Sequence, residues 1–248
     1  MKRFTIVLLP VGILALWSVG SGIHLFDPLF LPPPWEVVTS LFSGLRSGAL
    51  VQDLVATVLR SIAGFLLAAI VGVPTGLLMG RIPTLARATQ PTIDFFRSVP
   101  ATALFPLFLF FFGIGDTAKI AIVVYACSLI VLVNTAYGSL QVKEARILCA
   151  KVMGATRWCI FWKIVIPESS PGVFAGLRVA LSLSFVLIVV TEMFIGTTVG
   201  LGYHIMNSQI VYRIPDMYAG IILAGLMGYL ANVGLLQIER RLLHWVGR

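Results

Sequence analysis

An all-α, polytopic membrane protein with six transmembrane helices is the fold this sequence predicts, and three observations carry the prediction. Of its 248 residues, 58% are hydrophobic and only 11% charged, with a mean hydropathy of +0.99; a soluble domain carries about a quarter charged residues. The apolar residues come in long runs rather than short alternating ones, the pattern expected when lipid is the solvent. The basic residues fall in the short segments between the runs, as the positive-inside rule distributes them.

Six runs follow in order: Phe4 to Ile23, Val55 to Met79, Pro100 to Phe112, Ala118 to Tyr137, Val173 to Ile195 and Met217 to Leu236. Most reach the ~20 residues that a helix rising 1.5 Å per residue needs to cross ~30 Å of hydrocarbon. The third is short, and its helix could begin near Ala86. The first has the basic start and apolar core of a secretion signal but no compelling small-x-small cleavage site. It is expected to remain as an uncleaved span.

With both termini and the segments after runs two and four placed in the cytoplasm, that side holds Lys2, Arg3, Arg81, Arg87, Arg97, Lys143, Arg146, Lys151, Arg157, Lys163, Arg240, Arg241 and Arg248, with Arg178 just inside run five. The other side keeps only Arg46, Arg60, Lys119 and Arg213. Both termini are therefore expected to be cytoplasmic. The domain division expected is an N-terminal span with an outer amphipathic segment (1–54) and a five-helix core (55–248) holding a cytoplasmic loop at 139–171. The Pro32–Pro33–Pro34 run cannot be helix interior, and the stretch after it reads as a short amphipathic helix at the outer surface. The loop at 139–171 is basic, partly helical and longer than a bare connector needs, with a stop expected at Pro167. Its length suggests a docking surface.

Several function classes are disfavoured. The net charge of +8 is spread between apolar runs rather than over a solvated face, which argues against nucleic-acid binding. Cys127, Cys149 and Cys159 have no repeated spacing and form neither a disulfide framework nor a metal site. No G-x-x-x-x-G-K-[ST] loop, H-E-x-x-H helix or nucleophile elbow occurs, and His24, His204 and His244 lie far apart without ligand spacing. No catalytic residue, metal or bound cofactor is expected of this chain.

From Gly154 the loop before run five reads GATRWCIFWKIVIPESSPG. It resembles the cytoplasmic loop of binding-protein-dependent ATP-binding-cassette permeases: Glu-Ala-Ala, three residues, Gly, nine residues, then Ile-x-Leu-Pro. Gly154, Ile164 and Pro167 match and Ile166 stands for the Leu. The Glu-Ala-Ala falls on Leu148, Cys149 and Ala150, so only Ala150 agrees, while Glu144 and Ala145 echo the pattern a turn early. Gly154 removes a side chain where the chain must turn. Aromatic Trp158, Phe161 and Trp162 alternate with basic Arg157 and Lys163. By themselves these residues also suit an amphipathic helix held at lipid headgroups.

Two further stretches are similar to the nitrate/sulfonate/taurine/bicarbonate permease family. In DFFRSVPATALFPLFLFFFGIGDTAKI the matching letters are Arg97, Pro100, Ala103, Pro106, Leu107, Phe112, Gly113 and Gly115. In VTEMFIGTTVGLGYHIMNSQ they are Glu192, Gly196, Gly200, Leu201, Gly202 and Tyr203. IERRLLHW, Ile238 to Trp245, also has the family's look.

The resemblance implies a type I ABC importer permease in the bacterial inner membrane. Its partners would be a second permease copy, separate ATPase subunits that bind ATP and magnesium, a solute-binding protein outside, and lipid. The cargo implied is a small solute such as nitrate, bicarbonate, cyanate or a sulfonate, moved by alternating access. Ala150, Gly154, Ala155, Arg157, Ile164 and Pro167 would form the coupling segment. Arg97, Pro100, Pro106, Arg178 and Glu192 are candidates for the pathway or its gate. Glu192 is open to two readings, a gate or a hydrogen-bonded acid that pins the glycine-rich loop after it, and Arg178 either attracts an anion or docks near the coupling loop. A secondary transporter or channel without an ATPase is the alternative; it should show inverted repeats or ion-relay acids, and no clear repeat is visible.

Overall fold

The computed structural model describes residues 2–23, 27 and 29–244, with side chains from residue 8 onward. His24, Trp245 and Arg248 lie outside the described residues. The helices are α1 (Lys2–Gly22), α2 (Pro34–Arg46), α3 (Ala49–Arg81), α4 (Pro83–Ser98), α5 (Phe105–Phe112), α6 (Asp116–Leu140), α7 (Glu144–Val152), α8 (Arg157–Ile160), α9 (Ile166–Phe194), α10 (Leu201–Ile210) and α11 (Ile214–Leu242). No strand occurs among the described residues.

The centre of the molecule is a three-helix packing of α3, α6 and α9. Between helices in lipid, close backbone approach replaces the hydrophobic drive, so small residues gather at the contacts. Gly64, Gly72, Gly76 and Gly80 lie on one face of α3 at multiples of four residues. A methyl at Gly72 would come within 2.8 Å of the Ser128 carbonyl and the Val131 Cβ of α6. Farther along α6, Gly138 meets Gly172 of α9 so closely that a Cβ on Gly138 would lie 2.9 Å from the Gly172 Cα. Phe65, Ala68, Val123, Val131, Leu181, Phe185 and Ile188 close around this seam. Cys127 is buried there, with its thiol donating to the Ala180 carbonyl at 3.3 Å.

Four of the expected crossings are single long apolar helices: Ala49–Arg81, Asp116–Leu140, Arg157–Phe194 and Ile214–Leu242. The first expected crossing is α1, a 21-residue helix. The third is not a straight span. Pro83–Ser98 and Ala101–Phe112 meet at 84°, because Pro100 offers no N–H and forces Val99 into an extended conformation (φ −78°, ψ 121°). At eight residues, α5 is about 12 Å long and cannot cross the hydrocarbon unaided.

Pro167 also differs from expectation, since it stops nothing. It lies inside a continuous helix, with Val165 before it itself helical (φ −64°, ψ −52°). The helix runs unbroken from Arg157 because the five residues before α9, Phe161–Val165, widen into a π-turn. The proline run at 32–34 does begin a helix: Pro33 is the extended N-cap and Pro34 the first residue of α2. Trp17 of α1 donates its indole N–H to the Pro32 carbonyl at 3.0 Å. Leu41 and Leu45 of α2 pack over buried Leu50, Leu201 and Leu223.

Candidate functional site

The segment from Val142 to Pro167 folds as two short helices with a tight turn between them. Buried Val142, Ile147, Ala150, Ile160 and Val165 form a small core of their own, packed by Ala155, Phe161 and Ile164. The turn is a Schellman closure: the Gly154 amide donates to the Lys151 carbonyl at 3.0 Å and the Ala155 amide to the Ala150 carbonyl at 2.9 Å. That geometry needs a left-handed residue, and Gly154 supplies it at φ +80°. Thr156 then caps α8, its hydroxyl accepting from the Cys159 amide at 3.3 Å. Arg146 ties the start of the segment to α9 through Glu168 at 2.6 Å.

With the inner face of this unit filled, its outer face presents Leu148, Val152, Met153, Trp158 and Trp162, all exposed. Arg157 stands exposed beside them. Nothing lies within 4 Å of where a Gly154 side chain would begin. The ridge is therefore held rigidly from behind and open in front. At the family's acidic position stands exposed Leu148, so the ridge here is more apolar than the motif. Glu144, whose side chain is 81% exposed, makes only a 3.3 Å contact with Arg81.

At the opposite ends of the long helices lies a buried polar cluster. The Glu192 carboxylate receives the Arg60 guanidinium at 2.6 Å, the Thr57 hydroxyl at 2.8 Å and the Gly202 amide at 3.1 Å. Thr57 in turn accepts from the Leu201 amide at 2.9 Å, and Asp53 from the Gly200 amide at 2.8 Å. The first amides of α10, which have no partner inside their own helix, are thus satisfied by side chains of α3 and α9. Arg60 also donates to the Val199 carbonyl at 2.8 Å and lies 2.8 Å from Asp116, which Lys119 approaches at 3.3 Å. His204 approaches Asp53 at 3.4 Å. A side chain at Gly200 (φ +143°) would collide with the Glu192 carboxylate.

The remaining singled-out residues lie elsewhere. Arg178 pairs with Glu239 of α11 at 3.1 Å. Pro100 forms the bend after α4, and Pro106 lies in the first turn of α5. Arg97, at the last turn of α4, borders two cavities, of about 130 and 410 Å³. The structure thus brings the coupling candidates into one unit and leaves the pathway candidates in three separate places. Reading the sequence for motifs missed Thr57 and Arg60 as partners of Glu192, and Asp53 and Asp116 as further members of the cluster. The available signal was the polar face Asp53, Thr57, Arg60, Ser61, Gly64 repeating at helical spacing within an otherwise apolar run.

Comparison with known proteins agrees in one direction. The family model described as "Binding-protein-dependent transport system inner membrane component" matches residues 72–246. The taurine transport system permease protein TauC of Escherichia coli (strain K12) is 32% identical over 250 residues, covering 97% of this chain and 90% of that protein. The bicarbonate transport system permease protein CmpB of Synechocystis sp. is 30% identical, covering 93% of this chain and 85% of that one. Among solved structures, a chain of the MetNI methionine ABC transporter in inward-facing conformations superposes with a TM-score of 0.69 at 20% identity, covering 78% of this chain and 96% of that one.

Proposed function

Because the chain belongs to the family of binding-protein-dependent transport system inner membrane components, and so is a multi-pass permease subunit of an ABC importer in the inner membrane with an ABC ATPase and a solute-binding protein as partners, we propose that it carries a small oxyanion of the sulfonate or bicarbonate class. The cargo class rests on the relatives named for taurine, aliphatic sulfonates and bicarbonate. ATP is hydrolysed by the partner chain, and two copies of this chain enclose the pathway. The paired copy would cover the α4–α5 arm. No residue of α4 is buried, and Phe110 and Phe111 of α5 are 85% and 70% exposed.

One observation carries the coupling role: the exposed ridge of Leu148, Val152, Met153, Trp158 and Trp162, braced from behind by its own core and turned at Gly154. A partner that seats on this ridge can move α9 directly, because α8 and α9 are one continuous helix. A lipid-facing amphipathic helix would not need the Schellman turn. Purification tests this. The chain alone is expected to hydrolyse no ATP above background, and to co-purify with its cognate ABC ATPase as a complex holding two copies of each. ATP hydrolysis by this chain alone, with contaminants removed, would overturn the assignment.

A further inference from the structure

One arginine, Arg97, lines two cavities along α6 and has only a long ion pair for a partner. α6 rises about 36 Å from Asp116 to Leu140, and two cavities are stacked along it. The first, about 410 Å³, reaches α6 at Tyr125, Ala126, Leu129 and Ile130. The second, about 130 Å³, reaches it from Leu132 to Leu140. Arg97 lines both. It is the residue the two cavities share, at the end of α4 just before the Val99–Pro100 break. The end of α4 is held against α6 here, because the Tyr125 hydroxyl donates to the Phe96 carbonyl at 2.8 Å.

Among the described residues Arg97 is the only basic one on either wall. Its ion partner Asp94, which also lines the lower cavity, is 3.7 Å away, too long for a hydrogen bond, and the Arg97 side chain is 45% exposed. A charge in a membrane-spanning chain faces protein or water rather than lipid. A guanidinium offers five donors in a planar fork that matches two oxygens of an oxyanion, which an ammonium cannot do. The rest of the upper cavity is apolar apart from Thr102 and Tyr125, so the fork is its one strong anion-binding group.

We propose that Arg97 forms a transient oxyanion site inside the translocation pathway, beside the Val99–Pro100 break, so that the permease itself reads the charge of its cargo. This rests on the oxyanion-import reading above. The pathway's own site needs to be weak, because a tight one would hold the cargo against release; a single half-exposed arginine meets that requirement.

The test uses the assembled complex with its ATPase and binding protein in vesicles, with labelled taurine and labelled bicarbonate as separate probes. Wild type, Arg97→Lys and Arg97→Gln are compared at matched amounts of assembled complex. The readout is the ratio of anion accumulated to ATP hydrolysed. For whichever probe the wild type accumulates, Arg97→Gln is expected to lower this ratio at least tenfold. Arg97→Lys, which keeps the charge but not the fork, is expected to fall between the two. An Arg97→Gln ratio equal to wild type overturns the site and leaves oxyanion import standing. A fall in uptake and hydrolysis in the same proportion also overturns it, because that marks a positioning or assembly role. A wild-type complex that hydrolyses ATP yet accumulates neither probe overturns the cargo reading and this site together.

Discussion

Replacing Gly154 by valine is expected to abolish transport while leaving the membrane helices inserted. At φ +80° an L-residue pays about 1–2 kcal/mol, and a β-branched one more. The space around Gly154 is open, so no clash is relieved by a local shift; the strain acts on the backbone itself. Relaxing it means opening the Ala155–Ala150 bond that closes the turn, which swings α8 and its exposed Trp158 away from α7. The two halves of the ridge then no longer present one surface to the ATPase, and ATP hydrolysis stimulated by the loaded binding protein falls together with uptake. Glu144→Ala is the control. With a side chain 81% exposed and a single 3.3 Å contact to Arg81, it should cost less than about 1 kcal/mol and transport near the wild-type rate. Both are measured in reconstituted vesicles at matched protein levels. Normal uptake by Gly154→Val, or a crippling effect of Glu144→Ala, would mean that coupling occurs elsewhere.

The second large effect is expected in the buried cluster. Arg60→Met leaves Glu192, whose side chain is fully buried, without its cation, and stranding one member of a buried pair costs about 3–5 kcal/mol. The loss should reach α10, because Glu192 and Thr57 hold its first amides. Arg213→Met removes a pair of similar geometry, 2.8 Å from Asp216, but with the Arg213 side chain 73% exposed. It should change stability by no more than about 1 kcal/mol. Thermal unfolding of the detergent-solubilised protein compares them. The double variant Arg60→Met with Glu192→Met should regain part of the loss, since it leaves no unpaired buried charge on that axis. If Arg60→Met unfolds with the wild type, the cluster is not what anchors α10.

Much of this architecture was legible before any coordinates. Four apolar runs became the long helices because their length and composition leave a backbone in lipid no other way to satisfy its hydrogen bonds. The turn at Gly154 was legible, because a family motif and the need for a left-handed residue (φ +80°) fall on the same position. Pro100 and Pro167 show where reading residue by residue fails. Both are prolines in apolar surroundings, yet one breaks its helix by 84° and the other is absorbed into a continuous one. The difference lies in the preceding turn, which at Phe161–Val165 widens to take up the missing donor. Glu192 was found as an intramembrane acid, but its partners were not, because Thr57 and Arg60 lie over 130 residues away in sequence. Only the packing of α3 against α9 and α10 brings them together.

Whether this chain is the pathway of an ATP-driven importer is tested most directly by accumulation of labelled taurine or bicarbonate in sealed vesicles. The vesicles hold the permease with its ATPase, the binding protein is on the opposite face, and ATP is supplied only on the ATPase side. Accumulation above the outside concentration is expected to require all three proteins and ATP, and to persist when proton and sodium gradients are collapsed. Accumulation by the permease chain alone, driven by an ion gradient and indifferent to ATP, would contradict it and make the chain a secondary transporter.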